Sequence, residues 1–293
     1  MAPRQSIAGI DSPGALERAL RAACCLADEG VATAAYLALA PGKPLLLDGA
    51  PRVGKTECAK AIAAMPARRL VRLQCNEGID ASAALYEWNY PRQMLAIRQA
   101  GAQSIDIYGE ALLIERPMLA LLRAPDSTML LIDEIDCSDQ EFEAFLLEFL
   151  SDFQISIPER GTLRAIERPV VVLTSNRTRD LYEALRRRCV YYWIDYPAPE
   201  REARSVMMRA STVAEATARA VFAAVGNLRR EPLSKVPGIA ETVDWAEAAT
   251  LLNKGGARWP AAFARSIGVA LKDEEDRAYI RPRPDGLSAE AAA

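Results

Sequence analysis

The sequence predicts an α/β protein in which five parallel strands form a sheet with helices on both faces, followed by an all-helical domain. Three observations predict this architecture. Five short apolar segments alternate with segments rich in helix-forming residues. Beyond residue 197 the β-branched runs stop, and apolar residues recur at helical spacing, as in Phe263, Ile267 and Leu271. A chain of 293 residues can hold a large domain and a smaller one.

The predicted strands are short and apolar, as strands buried on both faces of a sheet usually are. The first of them runs directly into a glycine-containing loop. They comprise residues 44–48, 69–74, 128–133, 169–174 and 190–195. Residues 15–40, which precede the sheet, are rich in Ala and Leu and predict one or two helices.

A helix and a hairpin are predicted between the third and fourth strands. Apolar residues at spacings of three and four indicate an amphipathic helix over residues 139–150. After it, Phe153, Ile155 and Ile157 alternate with polar residues, which predicts a β-hairpin with residues 158–161 as its loop. The helix carries carboxylates that suggest a metal site, but we interpret them as its solvated side: Asp139, Glu141, Glu143 and Glu148.

We therefore expect an αβα domain over residues 1–197, including the helical lead-in, and a helical domain over residues 198–280. Residues 281–293 are polar and contain proline, without an apolar period, and are expected to be disordered.

Composition excludes several classes of function. Lys and Arg total 36 against 39 Asp and Glu, and the resulting net charge of −3 does not favour a dedicated binder of nucleic acid. Without histidine, Ser-His-Asp and Cys-His catalysis are excluded. The six cysteines form no CxxC pair, so neither a structural zinc site nor a catalytic thiol is expected. We find no secretory signal and no long apolar run, and expect a cytoplasmic protein without membrane insertion.

The loop after the first strand carries the strongest motif. Residues 49–56 read Gly-Ala-Pro-Arg-Val-Gly-Lys-Thr and match GxxxxGK[ST]. In such a loop the backbone amides surround phosphates, Lys55 reaches the β and γ oxygens, and Thr56 offers its hydroxyl to Mg²⁺. We therefore predict ATP and Mg²⁺ as ligands, with a nucleotide site comprising Gly49, Ala50, Pro51, Arg52, Val53, Gly54, Lys55, Thr56 and Glu57.

Two adjacent carboxylates end the third strand, in Leu-Ile-Asp133-Glu134. Near a phosphate-binding loop, Asp133 can hold Mg²⁺ through water, and Glu134 can orient or deprotonate the attacking water. Without that loop, the pair would more simply end a strand and begin a turn. With it, we predict ATP hydrolysis, with Thr56 and Asp133 as the metal-binding residues.

Further polar residues follow the fourth strand. Asn176 could hydrogen-bond the attacking water or the γ-phosphate, although asparagine is also a common turn residue. Before the fifth strand, an arginine of the run 186–188 could neutralise phosphate charge across a subunit boundary, although basic residues also favour helix ends. We predict Arg188 for this role, with Arg187 as the weaker candidate. The predicted catalytic residues are thus Glu134, Asn176, Arg188 and Arg187.

In order and spacing, these elements resemble the Walker A, Walker B, sensor 1 and arginine-finger motifs of AAA+ ATPases. Four segments resemble the MoxR family more closely, and within it the CoxD-like branch. The most specific is Leu85-Tyr-Glu-Trp-Asn-Tyr-Pro-Arg92, and the others are residues 73–80, 143–148 and 173–177. The resemblance covers about residues 15–255.

The resemblance implies an αβα ATPase domain with a helical lid, a homo-oligomeric ring that is usually hexameric, and nucleotide bound between subunits. It also implies chaperone-like action, commonly with a von Willebrand factor A-domain partner. CoxD-like members are associated with maturation of molybdenum-containing carbon monoxide dehydrogenase and related hydroxylases, so a client metalloenzyme is expected. There are two alternatives, a P-loop kinase acting on a small molecule and a DNA-acting AAA+ motor. The acidic composition disfavours the DNA-acting motor.

The sequence departs from the family pattern at two places. Related loops commonly have glycine where Arg52 stands, so a bulky cation lies in the phosphate-binding turn. The lid position called sensor 2 is an arginine in many relatives, but residues 237–245 contain none. We therefore expect the lid to contribute little direct contact with phosphate.

Overall fold

The structure, a computed structural model, describes residues 10–23, 28–65, 68–101, 104–158, 160–195, 213, 215–254 and 259–281. The predicted boundary at residue 197 and the predicted tail beyond residue 281 lie outside these ranges. The chain divides into two compact units. The first comprises the described residues of 1–23, 27–49 and 55–194, and the second comprises residues 50–54 with the described residues from 195 onward.

In the first unit, apolar segments form strands and the segments between them form helices. The strands are β1 (Leu45–Gly49), β2 (Arg69–Gln74), β3 (Tyr86–Trp88), β4 (Leu113–Glu115), β5 (Thr128–Asp133), β6 (Gln154–Ile157), β7 (Gly161–Arg164), β8 (Val170–Ser175) and β9 (Val190–Ile194). The helices are α1 (Pro13–Ala22), α2 (Glu29–Leu39), α3 (Lys55–Ala64), α4 (Ala81–Ala84), α5 (Tyr90–Ala100), α6 (Pro117–Arg123), α7 (Gln140–Asp152) and α8 (Glu183–Arg188).

The main sheet has the order β2-β5-β8-β1-β9, and all its strand pairs are parallel. The five predicted strands are confirmed. The central strands β1, β5 and β8 are buried along their whole length, as their continuous apolar sequences predict. Because the strands are parallel, their carboxyl ends meet at one edge, which brings Gly49, Asp133 and Ser175 to the same end of the sheet.

Helix α7 confirms the predicted amphipathic helix but corrects the interpretation of one of its carboxylates. Asp139 caps the helix by accepting a hydrogen bond from the Phe142 amide at 2.8 Å. We expected Glu143 on the solvated side, and this is wrong because the side chain is fully buried. Glu143 forms an ion pair with Arg179 and accepts a hydrogen bond from the Tyr182 amide at 2.9 Å, which compensates its burial.

Two antiparallel strand pairs lie outside the main sheet. The predicted hairpin is confirmed by β6 and β7, in which Ile155 pairs with Leu163. The pairing of β3 with β4 was not predicted, because each of these strands has only three residues. The Trp88 ring on β3 is buried and lies edge-on to Tyr108, with ring centroids 5.4 Å apart.

The second unit contains the helices α9 (Glu215–Leu228), α10 (Ile239–Lys254), α11 (Trp259–Ala270) and α12 (Glu274–Ile280), which confirms the helical C-terminal region. Its core is built around Trp245, whose ring lies 5.6 Å from that of Phe263. The Trp245 indole nitrogen donates a hydrogen bond to the Ser266 hydroxyl at 2.9 Å. Among the described residues, no helix has the length and apolar character needed to cross a membrane.

Candidate functional site

The GxxxxGK[ST] loop connects β1 to α3. A side chain at Gly49 would place its Cβ 2.2 Å from the carbonyl oxygen of Ile194 on β9, so only glycine fits where these strands pair. Gly54 has a φ of +96°, which also favours glycine. Lys55 begins α3, is buried, and donates a hydrogen bond from Nζ to the Gly49 carbonyl at 2.7 Å.

The buried position of Lys55 changes its pKa. Burial lowers the pKa of Lys55 to about 8, although the carboxylates of Asp48, Asp136, Asp133 and Glu134 partly oppose this. A phosphate anion beside Lys55 would favour its charged form. The lysine is therefore suited to bind a polyphosphate.

Arg52 adopts a left-handed conformation with a φ of +67°, a region that favours glycine. Residues 50–54 belong to the second unit, and there the Arg52 Nε lies 3.0 Å from Glu241 Oε1. The Ile239 amide also donates a hydrogen bond to the Arg52 carbonyl at 3.4 Å. These two contacts offset the cost of a non-glycine residue in this conformation.

Asp133 is buried at the end of β5 and accepts hydrogen bonds on both oxygens. The hydroxyl of Thr56 donates to Oδ1 at 3.1 Å, and that of Thr174 donates to the same oxygen. On the other side, Arg72 of β2 donates to Oδ2 from Nε at 2.9 Å and from Nη2 at 2.5 Å. The structure thus brings together the predicted metal-binding residues Thr56 and Asp133.

The next residue, Glu134, also has a left-handed backbone, with a φ of +57°. Its amide donates to the Thr174 hydroxyl at 3.0 Å. Gln74 Nε2 donates to Glu134 Oε2 at 2.8 Å, and Asn176 Nδ2 donates to Oε1 at 3.2 Å. An unusual backbone conformation thus directs this carboxylate to the amide of Asn176, the other catalytic residue predicted for this region.

Asp136 fixes the loop that carries Asn176. Its carboxylate accepts hydrogen bonds from the Asn176 amide at 3.0 Å, the Thr178 amide at 2.8 Å and the Thr178 hydroxyl at 2.7 Å. Burial alone would raise the pKa of Asp136, but the hydrogen bonds from Thr178 and Asn176 outweigh it and hold the pKa below its ordinary value. A charged Asp136 therefore anchors the turn after β8.

The predicted arginines Arg187 and Arg188 lie on α8. Arg187 and Arg188 are exposed. Arg187 forms an ion pair with Glu183, and Arg188 Nη1 donates to the Leu147 carbonyl at 3.1 Å. Their neighbour Arg186 instead lies over the Tyr191 ring, 5.0 Å from its centroid. Glu57, also predicted for the nucleotide site, is half exposed and lies 2.8 Å from Lys60 Nζ.

Four residues at this end of the sheet were not predicted as site residues: Arg72, Gln74, Thr174 and Asp136. Arg72 and Gln74 are two positions apart on β2, so both side chains point to the same face of the strand. Polar residues at that spacing near a strand end were a signal that could have identified them. Thr174 and Asp136 carry no comparable pattern, because their partners lie about forty residues away in the chain.

The residues present fit a magnesium nucleotide. Mg²⁺ prefers oxygen ligands, and the Thr56 hydroxyl and the Asp133 carboxylate supply oxygens that lie 3.1 Å apart. Lys55 supplies a cation for phosphate, and Glu134 supplies a second carboxylate, next to Asp133 in the chain. The arrangement is chemically capable of hydrolysing a nucleoside triphosphate.

Comparison with solved structures supports the fold described above, a parallel five-stranded sheet with a helical C-terminal region. The chain is similar to the Thermotoga maritima RuvB Holliday junction branch migration motor, with 17% identity, a TM-score of 0.51, and coverage of 86% of this chain and 71% of that one. For a mutant of T. maritima RuvB, the identity is 16%, the TM-score 0.53, and the coverage 94% of this chain and 76% of that one.

No curated protein matches the sequence. However, residues 45–194 match the family model described as "ATPase family associated with various cellular activities (AAA)". The matched segment begins at β1 and ends at β9, so it contains the phosphate-binding loop and the carboxylate pair described above. The chain belongs to the AAA family of ATPases.

Proposed function

We propose that this protein is a Mg²⁺-dependent ATPase of the MoxR type, in which ATP hydrolysis drives chaperone-like remodelling of a client metalloenzyme in the cytoplasm. Residues 1–197 form its ATPase domain and residues 198–280 its lid. The observation that carries the proposal is the contact of Glu134 with Asn176 beside the pair Thr56 and Asp133. These four residues, the hydrolytic cluster, provide both a metal-binding pair and a general base.

ATP binds through the loop of residues 49–56. The buried ammonium of Lys55 contacts the β- and γ-phosphates, and Thr56 and Asp133 hold Mg²⁺. Mg²⁺ held by these two residues would supply positive charge against the phosphate oxygens. Ala50, Pro51, Val53 and Glu57 complete the nucleotide site, with Arg52 as the residue that differs from related loops.

Glu134 orients and deprotonates the attacking water. Its two oxygens are held by the amides of Gln74 and Asn176, which fixes the carboxylate at the end of β5. Asn176 additionally positions the water or the γ-phosphate, since its own backbone is anchored by Asp136. Positioning by such polar groups is the main contribution that a protein makes to phosphoryl transfer.

Arg188 completes the site of the adjacent subunit in a homo-oligomeric ring, with Arg187 as the weaker candidate. The exposure of both side chains supports this role, because a residue that reaches a neighbouring subunit must be accessible. The hexameric stoichiometry follows from the resemblance to the MoxR family, as do a von Willebrand factor A-domain partner and a client of the molybdenum-containing carbon monoxide dehydrogenase type.

An exposed apolar surface supports the remodelling role. Tyr90, Met94 and Leu95 of α5 are 63%, 55% and 55% exposed. They follow β3, and Tyr90 lies in the segment with the most specific resemblance to the MoxR family, residues 85–92. Exposed apolar patches on water-soluble proteins often mark sites of protein interaction.

The test is the Glu134→Gln variant. We expect the rate of ATP hydrolysis to fall by up to about 10⁴-fold, because the amide cannot accept the proton of the attacking water. ATP binding should be retained, since Gln keeps the size of the side chain. Steady-state phosphate release and the dissociation constant for ATP measure the two properties separately.

The matched control is Glu148→Gln, an exposed carboxylate on α7, which should hydrolyse ATP at the parental rate. Parental hydrolysis by Glu134→Gln would refute the assignment of the general base. The client is then sought by affinity capture with Glu134→Gln and ATP. A retained molybdenum hydroxylase or A-domain protein supports the remodelling role, whereas ADP release that requires a small-molecule acceptor would favour the kinase alternative.

A further inference from the structure

The guanidinium of Arg72 lies on the carboxylate that is proposed to hold Mg²⁺. Arg72 Nε and Nη2 donate to Asp133 Oδ2 at 2.9 and 2.5 Å, while Thr56 and Thr174 donate to Oδ1. A carboxylate offers about four acceptor positions, and these four donor groups fill them. Asp133 therefore has no acceptor position left for a water molecule of a hydrated cation.

Arg72 also compensates the burial of the Asp133 carboxylate. Only 2% of the Asp133 side chain is exposed, and a buried carboxylate is costly without a compensating positive charge. Arg72 supplies that charge through two charge-assisted hydrogen bonds. It thus provides the neutralisation that a divalent cation would provide.

Arg72 can withdraw without disturbing the core. It lies on β2, which is an edge strand of the sheet, and its side chain is 49% exposed. Its Nη2 also donates to Gln74 Oε1, and Gln74 in turn donates to Glu134. Withdrawal of Arg72 would therefore also release one of the contacts that position Gln74 against the general base.

We propose that Arg72 is a resting counter-ion of Asp133, which must leave this carboxylate when the divalent cation enters. Arg72 is on this account a positioning residue that competes with the cation. The inference rests on the proposed function in one respect, namely that Asp133 takes part in holding Mg²⁺. The proposal adds that entry of the cation also breaks the hydrogen bond from Arg72 to Gln74, because the same guanidinium contacts both Asp133 and Gln74.

The test measures binding of Mn²⁺, as a probe for Mg²⁺, to the nucleotide-free protein by electron paramagnetic resonance. We expect Arg72→Met, which keeps much of the side-chain volume, to bind Mn²⁺ about tenfold more tightly than the parent, since charge-assisted hydrogen bonds no longer compete. Arg72→Lys keeps the charge but loses the two-pronged contact, and should bind about threefold more tightly.

The matched control is Arg69→Met, on the same strand. Arg69 is 72% exposed on its side chain and lies 4.0 Å from Glu115, so its loss should leave Mn²⁺ affinity unchanged. Thermal unfolding of each variant verifies that it is folded, and Arg72→Lys decides the question alone if Arg72→Met does not fold.

Unchanged or weaker Mn²⁺ binding by Arg72→Met would overturn the proposal, because it would show that Arg72 does not compete with the cation. Parental affinity in Arg72→Lys would also overturn it, because the two-pronged contact of the guanidinium with Asp133 would then make no difference to binding of the cation. Failure of the parent to bind ATP with Mg²⁺ would instead refute the proposed function, so the two failures are distinguishable.

Discussion

The hydrolytic cluster and helix α8 differ in how many hydrogen bonds and ion pairs their charged side chains form within the same chain. Glu134 accepts hydrogen bonds on both oxygens from residues of neighbouring strands or loops. Arg187 and Arg188 are exposed, and within the described part of the chain their contacts are with Glu183 and the Leu147 carbonyl. The carboxylate of Glu134 is thus satisfied within the chain, whereas the two arginines are exposed, which the proposed function explains by their action on a neighbouring subunit.

A short segment joins the two regions. Residues 177–182 run from Asn176 to the start of α8, and Arg179 within it forms the ion pair with Glu143. Arg179 also donates from Nε to the Ser138 carbonyl at 3.1 Å. This segment fixes the position of α8 relative to the hydrolytic cluster in the same subunit.

Among substitutions that distinguish helix α8 from the hydrolytic cluster, Arg188→Ala is expected to have the largest effect. We expect the turnover number to fall by about 10³-fold, because the developing phosphate charge loses its cation. The affinity of the variant for ATP should change much less, since the residues of the nucleotide site are in the other region. Steady-state hydrolysis and ATP titration measure both quantities on protein whose oligomeric state is verified by light scattering.

Arg187→Ala is the matched control for this substitution. Arg187 lies beside Arg188 on α8 and has a local ion-pair partner, so its loss should have the smaller effect. If Arg187→Ala is the more damaging variant, the assignment of the two arginines must be exchanged. If neither variant slows hydrolysis, α8 does not supply the finger.

A smaller effect is expected from Glu143→Gln, which weakens the connection between the regions. We expect the free energy of unfolding to fall by about 2 kcal/mol, below the usual loss for a fully buried pair because Arg179 is partly exposed. Denaturant unfolding measures the change. Glu141→Gln, at an exposed position of the same helix, should be neutral, and equal stability of both variants would contradict the structural role of Glu143.

The smallest effect concerns the pH dependence of nucleotide binding. With a pKa of about 8, Lys55 is charged below that pH and neutral above it. Bound phosphate favours the charged form, so the affinity for ATP should be constant below about pH 8 and fall by up to about tenfold per pH unit above it. Titrations from about pH 7 to about pH 9.5 measure this dependence.

The same pKa shift has a consequence for the stability of the ligand-free protein. The pKa of Lys55 is lowered by folding from 10.5, so the unfolded chain binds more protons between about pH 8 and that value. This group therefore adds stability as pH rises through that window. For ATP binding, the control is Lys55→Arg, which stays charged throughout and should bind ATP with the same affinity at every pH. An ATP affinity of the parent that does not change with pH would contradict the lowered pKa of Lys55.

The sequence predicted the elements whose chemistry depends on local patterns. Continuous apolar runs identified β1, β5 and β8, and the GxxxxGK[ST] spacing identified Lys55 and Thr56, because contacts with phosphate and Mg²⁺ in such a loop require these residue types. Asp133 and Glu134 were identified by their place at the end of a buried strand. The structure brings these residues together as the motif predicts.

The residues that the sequence did not predict depend on partners far away in the chain. Glu143 appeared to lie on a solvated face, because the helical period cannot show that Arg179 supplies a countercharge thirty-six positions later. Arg72 likewise reads as an ordinary polar residue of an edge strand until β5 is placed beside it. Ion pairs between a buried carboxylate and an arginine distant in the chain follow from the three-dimensional arrangement and not from local periodicity.

The central claim is that Glu134 of one subunit works with Arg188 of the next, and mixing two inactive variants tests it most directly. Glu134→Gln and Arg188→Ala are combined in equal amounts under conditions of subunit exchange, and ATP hydrolysis is measured. Random mixing in a ring pairs an intact Glu134 with an intact Arg188 at about a quarter of the interfaces. We predict recovery of about that fraction of parental activity, whereas no recovery in verified mixed assemblies would contradict the shared site.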